Sequence, residues 1–118
     1  MRDKEQMTVR KLAPLHPGEV LFEEFMKPMG LSQNRLGRDL GVPPRRINEI
    51  IHGKRGVTAD SALRLARYFG TSARFWMGLQ SDYDLETAED KLSEKIAHEV
   101  KLSRPVGRVN SERIHREA

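Results

Sequence analysis

The sequence predicts an all-α protein: a five-helix bundle built around a helix-turn-helix, followed by a C-terminal amphipathic helix. Three observations carry that expectation. Apolar residues recur at three- and four-residue spacing along most of the chain, and no stretch alternates as a strand does. Capping serines, threonines and glycines punctuate these runs at helix-sized intervals. The stretch LSQNRLGRDLGVPPRRINEIIHGKR, from Leu31 to Arg55, holds two short helical patterns joined by a glycine-containing turn.

Taken in order, His16-Pro17-Gly18-Glu19 opens the first helix, with proline near its first position and glutamate in its first turn. Val20, Leu21, Phe22 and Phe25 are its expected core face, and Pro28 and Gly30 its stop. Ser32 caps the second helix, because its hydroxyl accepts from a free backbone N–H two or three residues on. Leu36 and Leu40 share one face of that helix, and Gly41 closes it. Val42 fills the turn, and Pro44 suits the first position of the third helix. Ile47, Ile50 and Ile51 form that helix's buried stripe, and Gly53 ends it. After the basic turn Lys54-Arg55-Gly56-Val57, Thr58 caps a fourth helix with Asp60 and Ser61 in its first turn. Ala62, Leu63, Ala66 and Phe69 are expected inward, and Gly70 ends it. Thr71 or Ser72 caps a fifth helix whose apolar face is Phe75, Trp76 and Leu79; the aromatic pair either closes the core or lies at a subunit contact.

From Tyr83 the character changes, and a separate amphipathic helix is expected. Its stripe is Leu85, Ala88, Leu92, Ile96 and Val100, with Lys91–Glu94 and Lys95–Glu99 available to pair. The carboxylates of residues 82–90 would then sit at its start, where the helix dipole favours them. The expected organisation is a flexible arm over 1–15, the helix-turn-helix domain over 16–82, the amphipathic helix over 83–101 and a polar tail, disordered alone, over 102–118. Tyr83, Leu85, Leu92 and Ile96, with Phe75, Trp76 and Leu79, are the candidates for dimer or partner contact.

Composition narrows the function classes. The 118 residues suit one small domain with tails, and at 32% charged and 37% hydrophobic residues the core is modest. A bundle of roughly 65 residues is marginal alone, so a homodimer that adds buried surface is expected. No cysteine means no disulfide or thiol chemistry, which fits a reducing cytoplasm. No apolar run reaches the length of a membrane span, and the start lacks the apolar block of a secretory signal, so no membrane partner is expected. Net charge is +4, and its distribution is uneven: residues 1–80 hold 14 Lys+Arg against 8 Asp+Glu, residues 81–118 hold 7 against 9. The basic excess lies with the helix-turn-helix. Catalytic constellations are missing. His16, His52, His98 and His115 are scattered without metal-ligand spacing, and no glycine-rich phosphate loop follows a strand. No enzyme activity, metal or cofactor is expected.

In a helix-turn-helix the amino-terminal residues of the second helix reach base edges in the major groove. Here these are Pro44, Arg45, Asn48 and Glu49. Arg45 is the strongest base reader, since a guanidinium bonds guanine O6 and N7 together. Asn48 offers its amide to adenine or to phosphate. Glu49 either accepts from cytosine or orients Arg45 or Arg46 across one helical turn. Arg46 itself suits phosphate or that structural pair equally. Ser32, Gln33, Arg35, Arg38, Lys54 and Arg55 complete the candidate phosphate set, the four cations competing with ordinary solvated charge.

Residues 16–85 resemble the HigA-type antitoxins, also called VapI-like or plasmid-maintenance antidote proteins, of the lambda-repressor-like (XRE) helix-turn-helix class. The motifs that carry the resemblance are HPGE at the start, RINEI with HGKRGVTAD in the middle, and FGTSARFW…LQ..YDL at the end. It implies a five-helix lambda-repressor-like fold, a dimer on double-stranded operator DNA, autorepression, and neutralisation of a cognate HigB/RelE-like toxin that cleaves mRNA. Glutamine at the Gln33 position typically holds a phosphate in this class. The Pro43-Pro44 pair departs from the pattern by removing two backbone N–H groups at the reading helix. The alternative is a stand-alone XRE-family repressor without a toxin.

Overall fold

Each of the first four helices begins at a side chain that caps a first-turn amide or at a proline that has no amide to satisfy. The computed structural model describes residues 14–103, and among these all regular structure is helical. The first helix, α1, runs through an α-helical turn Pro17–Val20, a wider π-helical stretch Leu21–Met26 and a last turn Lys27–Met29. Then come α2 (Gln33–Leu40), α3 (Pro44–Ile51), α4 (Ala59–Phe69) and α5 (Ala73–Glu99). The expected arm and tail lie largely outside the described residues.

The HPGE opening has a separate cause at each position. His16 is the N-cap of α1: its Nδ1 accepts the Gly18 amide at 2.9 Å. Pro17 needs no amide partner at the first helical position. Gly18 is packed under α3, where a Cβ would overlap the Ile50 carbonyl oxygen and lie 2.8 Å from Ile51 Cα. Pro28 does not stop the helix as the sequence suggests. It sits inside the last turn, behind the π-helical stretch in which the Lys27 amide reaches back to the Phe22 carbonyl, and α1 ends instead at left-handed Gly30.

Burial of His16 against Tyr83, whose ring meets it edge-on at 4.7 Å, lowers the imidazole pKa from its ordinary 6.5, with Glu19 and Asp84 opposing the shift. The cap requires neutral Nδ1. The stabilising effect of neutral His16 is therefore full above 6.5 and is lost as pH falls from there through the lower folded pKa. Thermal unfolding between about pH 5 and 8 is expected to show this loss. His16→Asn, which caps without titrating, is expected to flatten the profile in that window.

The helix-turn-helix forms as the sequence predicts. Ser32 Oγ accepts the Arg35 amide at 3.0 Å, and Gly41 closes α2 at φ 75°. Val42 is buried in the turn and donates its amide to the Gly37 carbonyl at 2.9 Å. Gly37 carries no sequence signal for its role: a Cβ there would stand 3.0 Å from the Val42 carbonyl oxygen and 3.1 Å from Pro44 Cα, so glycine lets the turn close against α2 without displacing its backbone. Thr58 caps α4 through the Ser61 amide, and Gly70 closes it at φ 76°. Ser72 caps α5 through the Phe75 amide, while Thr71 accepts the indole N–H of Trp76 at 2.8 Å.

The core gathers Leu21, Met26, Leu36, Ile47, Ile50, Ala62, Leu65 and Trp76. Four readings are corrected. Leu63 is 63% exposed, and Leu65, two residues on and across the helix, is the buried leucine of α4. Phe22 lies at the surface, and Met26 takes the inward position one turn later. Trp76 is fully buried and touches Phe25 at 5.1 Å between ring centroids, so of the two alternatives for the aromatic pair Trp76 closes the core and is no partner contact. The expected break near Tyr83 does not occur: α5 is continuous to Glu99, since Ser81 and Asp82 carry no glycine or proline to stop it. The acidic run of 82–90 therefore lies mid-helix. Lys95–Glu99 pairs at 3.8 Å, and among the described residues Lys91–Glu94 does not.

Residues to Thr87 form one unit and those from Ala88 another. In the first unit Gln80 ties the loop before α4 to α5: its Oε1 accepts the Val57 amide at 2.6 Å and its amide donates to Asp84 at 2.9 Å. Gly56 leaves room for it. In the second unit Leu92 and Ile96 are exposed on the helix.

Candidate nucleic-acid interface

Arg45 stands at the amino end of α3 with its side chain 80% exposed. It lines a shallow cleft of about 400 Å³ together with Pro43, Arg46, Glu49 and Arg55. Two guanidiniums, Arg45 and Arg55, flank the Glu49 carboxylate and leave this surface cationic. Glu49 lies between Arg45, at 3.4 Å, and Arg55, at 2.7 Å. The hydrogen bond from Arg55, followed by the charges of Arg55 and Arg45, holds the Glu49 carboxyl below its ordinary pKa. Of the two roles the sequence allows for Glu49, the geometry has it orienting arginines, and the second of these is one the sequence reading missed. The pairing spans six residues because the chain folds back after α3: the amides of Lys54 and Arg55 both donate to the Glu49 carbonyl. A helix-spacing rule does not reach that separation.

Asn48 Nδ2 donates to Gln33 Oε1 at 3.1 Å, linking the start of α2 to α3. This occupies the Gln33 oxygen as an acceptor and leaves its amide N–H groups as donors. The Ser32 hydroxyl oxygen accepts the Arg35 amide as the cap of α2, and its O–H is a further donor at the same helix start. Arg35 pairs with Asp39 at 3.2 Å, and Asp39 also accepts from Tyr68 at 2.7 Å. The Tyr68 hydrogen bond is the main reason the Asp39 carboxyl is held low, and the same contact raises the Tyr68 phenol. Arg38 and Lys54 are exposed and, among the described residues, have no carboxylate partner.

Arg46 is placed differently from its neighbours. Its Nη1 donates to Asp60 at 2.7 Å and lies 3.4 Å from the buried Ser61 hydroxyl, with the side chain 27% exposed. The Asp60 oxygen also accepts Arg64 Nε at 3.0 Å, and Arg64 Nη1 donates to the Leu40 carbonyl at 2.9 Å. Asp60 is held low by Arg64 first and Arg46 second. Asp60 was visible in the sequence only as a first-turn acid, and Arg64 not at all.

The surface can hold a polyanion through spaced cations and amides, with one guanidinium free to reach further. Among the described residues no group of three or more metal-binding side chains occurs, and no helix is long and apolar enough to cross a membrane.

The helix-turn-helix family model HTH_3 matches residues 22–76. Virulence-associated protein I of Dichelobacter nodosus is 54% identical over 87 residues, covering 73% of this chain and 81% of that one. Antitoxin HigA-1 of Vibrio cholerae is 33% identical over 90 residues, covering 75% and 84%. The chain belongs to the HigA-type antitoxin family. The antitoxin HigA of Pseudomonas aeruginosa, solved with the higBA promoter, shares 45% identity at a TM-score of 0.75, covering 77% of this chain and 99% of that one. HigA-type proteins are non-enzymatic helix-turn-helix proteins of the XRE class. The motifs singled out in the sequence acquire physical content here: HPGE caps α1 beneath α3, HGKR folds back on Glu49, and LQ..YD holds the loop before α4 and the His16 cap.

Proposed function

We propose that this HigA-type protein represses its own operon as a homodimer on double-stranded operator DNA and neutralises a cognate HigB/RelE-like mRNA-cleaving toxin. It acts in the cytoplasm, at the nucleoid. The observation that carries the reading is Arg45, presented at the amino end of α3 in a cationic cleft. The P. aeruginosa HigA solved with the higBA promoter supports it. In this reading Arg45, with Pro44, Asn48 and the Glu49 that orients it, faces base edges. Gln33, Arg35, Arg38, Lys54 and Arg55 meet phosphates around the Ser32-capped start of α2. Two α3 helices one DNA turn apart, roughly 34 Å, read a palindromic site.

Surfaces for the dimer or the toxin are Phe75, Leu79, Tyr83 and Leu85 in the first unit and Leu92 and Ile96 in the second; Leu85 is 60% exposed. With Arg35, Arg38, Lys54 and Arg55 of each protomer on one phosphate apiece, about eight contacts across the dimer give a log–log dependence of affinity on salt with slope near −7. Lys54→Ala is expected to weaken operator and unrelated duplexes alike and to reduce that slope by about 0.9 for each phosphate lost. Co-expression with any short reading frame that adjoins this gene tests the toxin arm. Co-purification of a small ribonuclease whose activity is suppressed supports it. A repressor that binds its operator and captures no such partner is a stand-alone regulator.

A further inference from the structure

We propose that Arg46 and Asp60 form a positioning clamp for the reading helix, and that Arg46 makes no phosphate contact of its own. The inference rests on the reading of α3 as the DNA-reading helix. Two helices meet at one carboxylate, and Arg64 joins a third to it. Asp60, in the first turn of α4, takes Arg46 from the first turn of α3 at 2.7 Å and Arg64 from its own helix at 3.0 Å. Arg64 carries the connection on to the Leu40 carbonyl at the end of α2, 2.9 Å away. The helix-turn-helix is thereby fastened to α4 at the point where the turn delivers α3.

Arg45 and Arg46 are adjacent in sequence and opposite in circumstance. Arg45 projects into solvent at 80% exposure, while Arg46 is 27% exposed and turned to Asp60 and Ser61. A base-reading side chain works only if its helix is held within a fraction of an ångström and a few tens of degrees of the productive pose. Proline at Pro43 and Pro44 removes two backbone donors from that end of α3, so side chains carry the anchoring. Arg46 reaches α4 from the first turn of α3, and Asn48, further along α3, reaches Gln33 of α2.

The clamp makes a prediction whose sign opposes simple electrostatics. Asp60 is an anion beside a DNA-binding surface, so removing it should strengthen binding to any duplex if charge alone mattered. If Asp60 positions α3, removing it lowers discrimination. The experiment measures affinity for the protein's own operator and for a scrambled duplex at two salt concentrations, in the full chain and in Asp60→Ala, Arg46→Ala and the double variant. Each single variant is expected to reduce the operator-to-scrambled ratio roughly tenfold with the salt slope unchanged, part of what a lost bidentate base contact costs. The double variant is expected to be no worse than the poorer single one, because both break the same clamp. Asp60→Asn keeps an acceptor oxygen and spares the fold; its ratio is expected to fall by a smaller factor.

Two results overturn the clamp. One is an Asp60→Ala or Asp60→Asn protein that binds both duplexes more tightly with its ratio intact. The other is an Arg46→Ala protein that weakens on both duplexes equally while its slope drops by about 0.9, the signature of a phosphate ligand. Unmutated protein that does not distinguish its operator overturns the functional reading itself, a separate outcome.

Discussion

Replacing Gly18 with alanine is expected to lower the thermal midpoint by roughly 12–24 °C. The added Cβ has nowhere to go: it would overlap the Ile50 carbonyl oxygen and stand 2.7 Å from the carbonyl carbon and 2.8 Å from Ile51 Cα. Backbone cannot rotate aside as a side-chain tip can, so α1 must lift off α3. Overpacking of this kind costs about 3 kcal/mol, and each kilocalorie moves the midpoint of a domain this size by about 4–8 °C. The same substitution at Gly78 is expected to act in the opposite direction. Nothing lies within 4 Å of a Cβ there, the residue is inside α5, and alanine is favoured over glycine in a helix by about 0.5–1 kcal/mol. Circular dichroism melts of both variants at one protein concentration check the pair. A neutral Gly18→Ala would mean that α1 and α3 are not in backbone contact.

Arg45→Ala is expected to lower operator affinity by roughly 10- to 100-fold at each reading helix while changing affinity for unrelated DNA little, the loss of about 1–3 kcal/mol that one bidentate guanine contact supplies. Its exposure leaves no fold to disturb: its one ion pair, to Glu49 at 3.4 Å, is at the surface and worth little to stability. Selection from a library of operator variants locates the relaxed base pair. Uniform weakening on every sequence, with a shallower salt slope, would make Arg45 a phosphate ligand. The contrast with Lys54→Ala, expected to weaken all duplexes alike, separates the two kinds of contact.

Much of the fold was legible because its signals are local. Ser32, Thr58 and Ser72 cap within three residues of themselves, and Gly41 and Gly70 close helices by a conformation that glycine alone adopts cheaply. What the sequence could not show depends on distant packing. Gly18 and Gly37 look like ordinary helix positions until α3 and the turn are placed against them. Leu63 and Leu65 are equally apolar, and only the orientation of α4 decides between them. Pro28 reads as a stop, yet the preceding π-helical stretch accommodates it. The long α5 was read as two helices because its composition changes near Tyr83 while its backbone chemistry does not.

The same division runs through the interface. Arg45 was legible from its place after Pro44 at a helix start. The partners that hold the surface together were not. Glu49 meets Arg55 across six residues, Arg46 meets Asp60 across fourteen, and Gln80 meets Val57 across twenty-three. Such pairs follow no helical period, so the alternatives for Arg46 stay level, and the true partner of Glu49 stays hidden, until the helices are packed.

The most direct test of the account is titration of the protein with the promoter DNA of its own gene at two salt concentrations, against a scrambled duplex. The account predicts tight binding to the promoter, discrimination against the scrambled duplex, and a steep loss of affinity with salt. Equal affinity for the two duplexes would contradict the assignment of α3 and Arg45 to reading that operator.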